Sequence, residues 1–379
     1  MKIALIEIFQ YTLPLIKPLL IKGTLLTTRQ GFIIRLQNEH HHKAYGEVSP
    51  FPSLHSEDCD EAKLQLIRLQ KELSGQILPD CTERLKGTRS SWLGQYHLSP
   101  SVHFGIETAI LNLIAHSKHQ SLARMLSKHH PKTILVNALI TSGDSHIEQE
   151  CKRLVHEGYK AIKLKVGRRK VEEELDTLKR MRNSIDENIA LRLDANRAWP
   201  LETAIIFGKA AAEFRIEYIE EPLVDYSQSA QFFKETNLPI AFDETLRDLC
   251  TEHNLNSHNL HSNTLEHLNP KIFEGVKAFI LKPAVLGSYE KTFAFANFAK
   301  HHSIIPVISS SFCSGVGLTA EADIAASLNE SNIPVGLDTY KWLKDDLLSP
   351  RFQTVHGQID LEMIHKTSTK IRMELLKKI

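Results

Sequence analysis

From Thr133 onward the sequence repeats a short apolar run followed by a helix-like stretch, and this rhythm limits the possible folds more than any other feature. Strand-like runs cover Ile134 to Ile140, Ala161 to Val166, Ile189 to Asp194, Ile216 to Glu220, Pro239 to Asp243, Ala278 to Lys282, Ile304 to Ser310 and Pro334 to Asp338. Most starts are about 25–30 residues apart, the length of one βα unit. Strands joined through such crossovers lie parallel, and this many of them close into a barrel.

The ends of these runs carry the chemistry. Leu193-Asp194, Ile219-Glu220 and Phe242-Asp243 each finish an apolar strand with an acid, at the barrel end where such folds place reactive groups. One such acid is ordinarily an N-cap for the next helix. Three in succession point to a converging site. Two other runs end in lysine: Lys163-Leu164-Lys165 on one strand and Lys282 on another. Residues two apart on a strand share a face, so Lys163 and Lys165 both point inward, away from the helices. A strand buried on both faces has no solvent side for two lysines. Acids that suit a hard divalent cation, next to lysines whose pKa burial and cationic neighbours can lower, suggest metal-assisted proton abstraction beside a carboxylate.

Composition bounds the alternatives. With 379 residues, 42% of them hydrophobic, the chain can bury a large core. Forty-six basic against 45 acidic residues leave a formal charge of +1, which gives no reason to expect a nucleic-acid or membrane partner. The expected partner is a small molecule; the sequence leaves the oligomeric state open. Cys59, Cys81, Cys151, Cys250 and Cys313 are widely spaced and odd in number, as for reduced thiols. No secretory leader or run of about 18 apolar residues is evident, so a cytoplasmic location is expected.

Before Thr133 the pattern is mixed: a strand from Ile3 to Tyr11, a hairpin from Gly31 to Val48, and helical periodicity over Ala62 to Leu73 and Glu107 to His116. His40, His41 and His42 read as a solvated hairpin tip. The segment Gly46-Glu47-Val48-Ser49-Pro50-Phe51-Pro52 reads either as a rigid connector or as a lid presenting an exposed Phe51 to a ligand. An Asn- and His-rich insertion, 250–271, contains a His258/His261 pair but no cysteine or glutamate at zinc-site spacing, so it is read as a polar surface insertion.

Lys163-Leu-Lys165, Leu193-Asp194-Ala-Asn196-Arg197-Ala-Trp199, Glu220-Glu221-Pro222, Phe242-Asp243-Glu244-Thr245-Leu246-Arg247, Lys282-Pro283 and Ile308-Ser309-Ser310-Ser311 occur in this order. Together they resemble the enolase superfamily, and within it the o-succinylbenzoate synthase family. The resemblance implies a TIM-type (β/α)7β barrel at 131–340, an α+β capping domain at 1–130, and a C-terminal segment, 341–379, packing back on the cap. It further implies that Asp194, Glu220 and Asp243 hold Mg²⁺, with Mn²⁺ as a substitute. Lys165 is then the general base, Lys163 its neighbour that contacts the substrate carboxylate, and Lys282 the opposing charge that stabilises an enediolate. The implied reaction is dehydration of 2-succinyl-6-hydroxy-2,4-cyclohexadiene-1-carboxylate to 2-succinylbenzoate, in menaquinone biosynthesis.

A second anion, the succinyl carboxylate, needs its own partner. Ser309, Ser310 and Ser311 followed by Gly315 offer small side chains and accessible amides before a helix, although the same stretch also reads as a plain strand–helix turn. Glu47 to Phe51 matches the cap loop that closes over the site in this superfamily, and Arg192, one layer below Asp194, is expected to orient carboxylates rather than touch substrate. Two other readings remain open. A dipeptide epimerase or N-acylamino acid racemase uses the same lysines, but the epimerases carry an Asp-x-Asp pair where this chain has Gly336-Leu337-Asp338. A barrel that binds metal and ligand without turnover is the third.

Overall fold

The computed structural model describes all residues except 22–23, 79–90, 142, 144, 254, 256–264, 266 and 329–332. Cys81 and the His258/His261 pair lie outside the described residues. Cys59, Cys151, Cys250 and Cys313 are free thiols. Among the described residues no helix is long and apolar enough to cross a membrane.

The N-terminal unit is built on a four-stranded antiparallel sheet. Its long hairpin pairs β1 (Ile3–Ile21) with β2 (Thr24–Asn38), and β3 (Lys43–Val48) follows through the exposed turn at His40 and His41. The first strand runs ten residues past the Tyr11 end expected from sequence, because its partner continues to pair with it across a register shift after Pro14. The helix Pro100–Ser117 lies across this sheet, buried on nearly every side. Its approach depends on glycine: a Cβ on Gly46 would fall 2.0 Å from Gly105 O, and one on Gly105 would fall 2.4 Å from Val48 Cγ2.

The rest of the chain forms the α/β barrel-type unit. After β4 (Thr133–Leu135) come seven parallel strands in sequential spatial order. They are β5 (Ala138–Ile140), β6 (Ala161–Lys165), β7 (Ala190–Asp194), β8 (Ile216–Glu220), β9 (Ile240–Phe242), β10 (Val276–Leu281) and β11 (Ile305–Ile308). The run expected at Pro334 to Asp338 supplies only two bridging residues: Val335 pairs with Val136 on one edge, and Gly336 with Ser309 on the other. Those two residues link the edge strands of the curled sheet. The tail returns twice, through β12 (Gln358–Asp360) beside β4 and β13 (Leu376–Lys378) beside β1.

Arg192 orients a carboxylate, though not one at the strand tips. It is almost wholly buried, yet it turns from the acids above it: Nε donates to Glu217 Oε2 at 2.6 Å and Nη1 to Asn137 Oδ1 and Pro334 O at 3.1 and 2.6 Å. Its guanidinium spans the barrel interior to the short closing segment, where unpaired backbone and side-chain oxygens need a donor.

Candidate active site

Strand register sets the site. Lys165 pairs with Asp194, and Asp194 with Glu220, so three strand tips stand side by side at one level. Lys163 lies one inward position below, paired with Arg192. The intervening Ile162, Leu164 and Val166 are buried in the hydrophobic core. From the lower layer Lys163 Nζ reaches up to Asp194 Oδ2 at 3.0 Å and Glu220 Oε2 at 2.9 Å. Lys165 Nζ donates to the same Asp194 oxygen at 2.6 Å and to Asn196 Oδ1 at 2.7 Å. Asp243 stands just beyond β9, and Lys282, just beyond β10, is hydrogen-bonded to its Oδ2. The lysines and acids named from sequence therefore meet at one end of the sheet.

Electrostatics follows from burial without bulk water. Burial opposes the charge on Lys163, but Asp194 and Glu220 outweigh it and hold its pKa well above the ordinary value. Lys282 behaves likewise: burial lowers its pKa, but Asp243 and Glu220 raise it further. Burial would raise Asp194, yet Lys163 and Lys165 pull its carboxyl far below the usual range. Glu220 is pushed up to about 8 by burial and by Asp194, and Asp243 to about 6 by burial against the pull of Lys282.

Several participants escaped the sequence reading. Glu221 has φ of 43°, a left-handed conformation that costs a non-glycine residue about 1–3 kcal/mol. The twist turns its carboxylate sideways, where Oε1 accepts from the amides of Asp243 and Thr245, each at 2.7 Å, and Oε2 from Thr245 Oγ1 at 2.8 Å. Glu221 thereby fixes the segment that carries Asp243. Glu244 is a further buried acid, reached by Asn196 Nδ2 at 3.4 Å. Asn196 and Glu244 both lay within the quoted strand-tip motifs; nothing local in Glu221 announced its turn.

Two further expectations are corrected. Phe51 is buried, not exposed: its ring stacks on Phe312 at 5.3 Å, with the Arg29 guanidinium carbon 4.7 Å from its centre. Arg29 draws the loop down by donating to the carbonyls of Ser49, Pro50 and Phe312. Most of the amides expected to await an anion are already occupied. Ser309 and Ser310 N–H bond to Leu281 O and Gly336 O, and Gly315 N–H to Asp346 Oδ1 at 2.7 Å. Glu47 reaches across from β3 to take Ser314 N–H, Ser314 Oγ–H and Gly317 N–H at 2.6–2.9 Å, along with the Tyr11 hydroxyl. The helix N-terminus at Gly315 is thus capped by the protein's own carboxylates.

The acids suit a hard cation. Among the described residues no group of three or more His, Cys, Asp or Glu side chains stands arranged around a metal position as placed; the acids are instead turned onto ammonium groups. The donor chemistry nevertheless fits: Asp194, Glu220 and Asp243 come from neighbouring strands, and Glu220 Oε1 and Glu244 Oε2 are buried without a hydrogen-bond partner among those residues.

An α/β barrel-type sheet with acids and lysines at its strand tips defines a class, and comparison with known proteins fixes it. Residues 146–363 match the "Enolase C-terminal domain-like" family, and residues 3–113 match "MenC, N-terminal domain". The chain belongs to the enolase superfamily and, within it, to the o-succinylbenzoate synthase family. It is 30% identical over 351 residues to an o-succinylbenzoate synthase of Aliivibrio fischeri, covering 90% of this chain and 92% of that one. It is 33% identical over 84% of its length to the chloroplastic protein PHYLLO of Arabidopsis thaliana, of which it spans only 20%. The dipeptide epimerase of Cytophaga hutchinsonii, solved with Mg and D-Ala-L-Val, shares the fold at a TM-score of 0.80 and 22% identity, over 100% of this chain and 99% of that one.

Proposed function

We propose that the protein is an o-succinylbenzoate synthase, which removes water from 2-succinyl-6-hydroxy-2,4-cyclohexadiene-1-carboxylate to give 2-succinylbenzoate. We further propose residues 1–130 as the cap, 131–340 as the catalytic (β/α)7β barrel and 341–379 as a tail that completes the cap, in a cytoplasmic enzyme. The observation that carries the reading is the meeting of Lys163, Lys165, Lys282, Asp194, Glu220 and Asp243 at one end of the sheet.

Three ammonium groups already answer Asp194, Glu220 and Asp243. A dianionic substrate calls for more positive charge, and Mg²⁺ held by those acids would provide it, as a hard Lewis acid for the ring carboxylate. The protein's own groups do the rest. Lys165 removes the proton beside the ring carboxylate, and the electron pair moves into the carboxylate head group. Lys163 bears on that head group from below, and Lys282 opposes the accumulated charge from the β10 side. As the C–O bond to the hydroxyl breaks, Lys165 returns its proton to the departing oxygen. The pair enters the ring, which becomes aromatic, and water leaves. Ser309, Ser310 and Ser311, at the end of the strand beside β10, border the succinyl end; Phe51 supports that wall from behind through Phe312.

The epimerase reading shares the lysines, but its ammonium-binding acid has no counterpart. The remaining acid, Asp338, accepts from the Tyr159 hydroxyl at 2.8 Å and pairs with Lys341 at 3.2 Å, so it is not available to a dipeptide. The deciding experiment follows the ultraviolet absorbance of the aromatic product from the cyclohexadiene, alongside Ala-Glu incubated in heavy water. Aromatic product at enzymatic rates without deuterium exchange is expected. Exchange at the dipeptide α-carbon with no dehydration would replace the proposal.

A further inference from the structure

Where the cap loop meets the barrel, a cavity of about 510 Å³ opens between Leu54–Ser56, the helix Glu244–Glu252 and the turn at Val285–Leu286. Its polar groups are unbalanced in charge. Lys291 and Arg247 both line it. No acid among the described residues forms an ion pair with Lys291, whose pKa burial pushes down. Arg247 anchors the cap loop through Leu54 O at 2.9 Å; its nearest acid, Asp248, lies 3.7 Å away and is shared with Arg197. His55 adds no further positive charge, since Nδ1 accepts from Phe51 N–H at 2.9 Å and Nε2 faces Ala284 O at 3.1 Å, which fixes the neutral ring with its proton on Nε2. The rest of the lining includes the apolar Leu54, Leu255, Val285 and Leu286.

We propose that this cavity is an anion site outside the catalytic cluster, taking a small carboxylate with a flat apolar body: the carboxylate lies against Lys291 and Arg247, the body against the leucines and Val285. A half-buried ammonium with no acid among the described residues is costly, and a ligand carboxylate supplies a partner. Occupancy ties the cap loop to the two segments that directly follow Asp243 and Lys282, so the ligand bears on the catalytic groups through the loops that carry them. The site does not depend on which reaction those groups perform.

Cys250, a free thiol in the same wall, reports on occupancy. Burial pushes it up to about 11, so it reacts slowly enough for protection to be timed. The full-length protein is labelled with N-ethylmaleimide in the presence of benzoate, and labelling of Cys250 and Cys59 is followed by peptide mass spectrometry. Saturating benzoate should slow Cys250 at least about tenfold, leave Cys59 unchanged, and do so equally in Lys165→Ala; benzyl alcohol, its neutral analogue, should not protect. Lys291→Met should raise the half-protecting benzoate concentration at least about tenfold, whereas Lys291→Arg should restore it. Unprotected Cys250 in the native protein, equal protection by benzyl alcohol, or unchanged protection in folded Lys291→Met would each overturn the site. The first two outcomes need no variant and are independent of turnover.

Discussion

Replacing Lys165 tests the proton-transfer assignment most directly. Its ammonium makes two hydrogen bonds, to Asp194 Oδ2 at 2.6 Å and Asn196 Oδ1 at 2.7 Å. Asp194 keeps Lys163 at 3.0 Å and the Asn196 amide at 3.1 Å when Lys165 is truncated, so no buried carboxylate is stranded. The fold should therefore lose only about 1–3 kcal/mol, the scale of one charged hydrogen bond. A positioned general base contributes roughly 10²–10⁴ in rate, or about 3–5 kcal/mol of barrier. Lys165→Ala should thus cost kcat at least about a hundredfold, while thermal melting and Mg²⁺ binding by calorimetry stay close to the native protein. Lys165→Arg sharpens the test, because arginine keeps the charge and both partners but cannot give up its proton near neutral pH. If Lys165 is the base, both variants fail alike in the ultraviolet assay. Should Lys165→Arg retain more than about a tenth of the native rate, the lysine serves as a charge and the base must be sought elsewhere.

Other expectations follow from groups outside that transfer. Glu107, inside the cap helix, is pushed up from 4.5 to about 8 by burial, against the Tyr289 amide that donates to it at 3.0 Å. A carboxyl that stays protonated when folded makes stability fall as pH climbs from about 4.5 towards 8. Glu107→Gln, which keeps an acceptor, should add on the order of 3 kcal/mol at pH 7 and little at pH 5; urea melts with the same pH slope as native protein would refute this. Arg192→Met strands Glu217 and Asn137 next to the closing segment, so urea melts should show a loss of about 3–5 kcal/mol. Because Arg192 touches none of the strand-tip acids, kcat per folded molecule should hold. Glu47→Ala frees four donors at once across the junction between β3 and the Gly315 helix, and should raise proteolytic cleavage between Ser49 and Leu54 before global unfolding begins.

The strand tips were legible because their signal is local. A hydrophobic run fixes the strand, period-two alternation fixes the face, and a terminal acid or lysine must then sit at the rim, as Lys165, Asp194, Glu220, Asp243 and Lys282 do, with Lys163 one inward layer below. Where side chains reach across the fold, the reading failed. Phe51, between two prolines, looked exposed, but Arg29, 22 residues upstream, binds the loop to Phe312. The amides around Gly315 looked open, but Glu47 and Asp346 already occupy those of Ser314, Gly315 and Gly317.

By itself the sequence determined the parallel βα repeat, the inward lysines and the acids that end three strands, since spacing along one strand decides all of these. Only the tertiary structure decided which carboxylate answers which ammonium, that Glu221 turns aside to position Asp243, and that Arg192 serves the seam of the barrel. Those pairings join residues far apart in the chain, and a buried polar group takes whichever partner packing brings within about 3 Å.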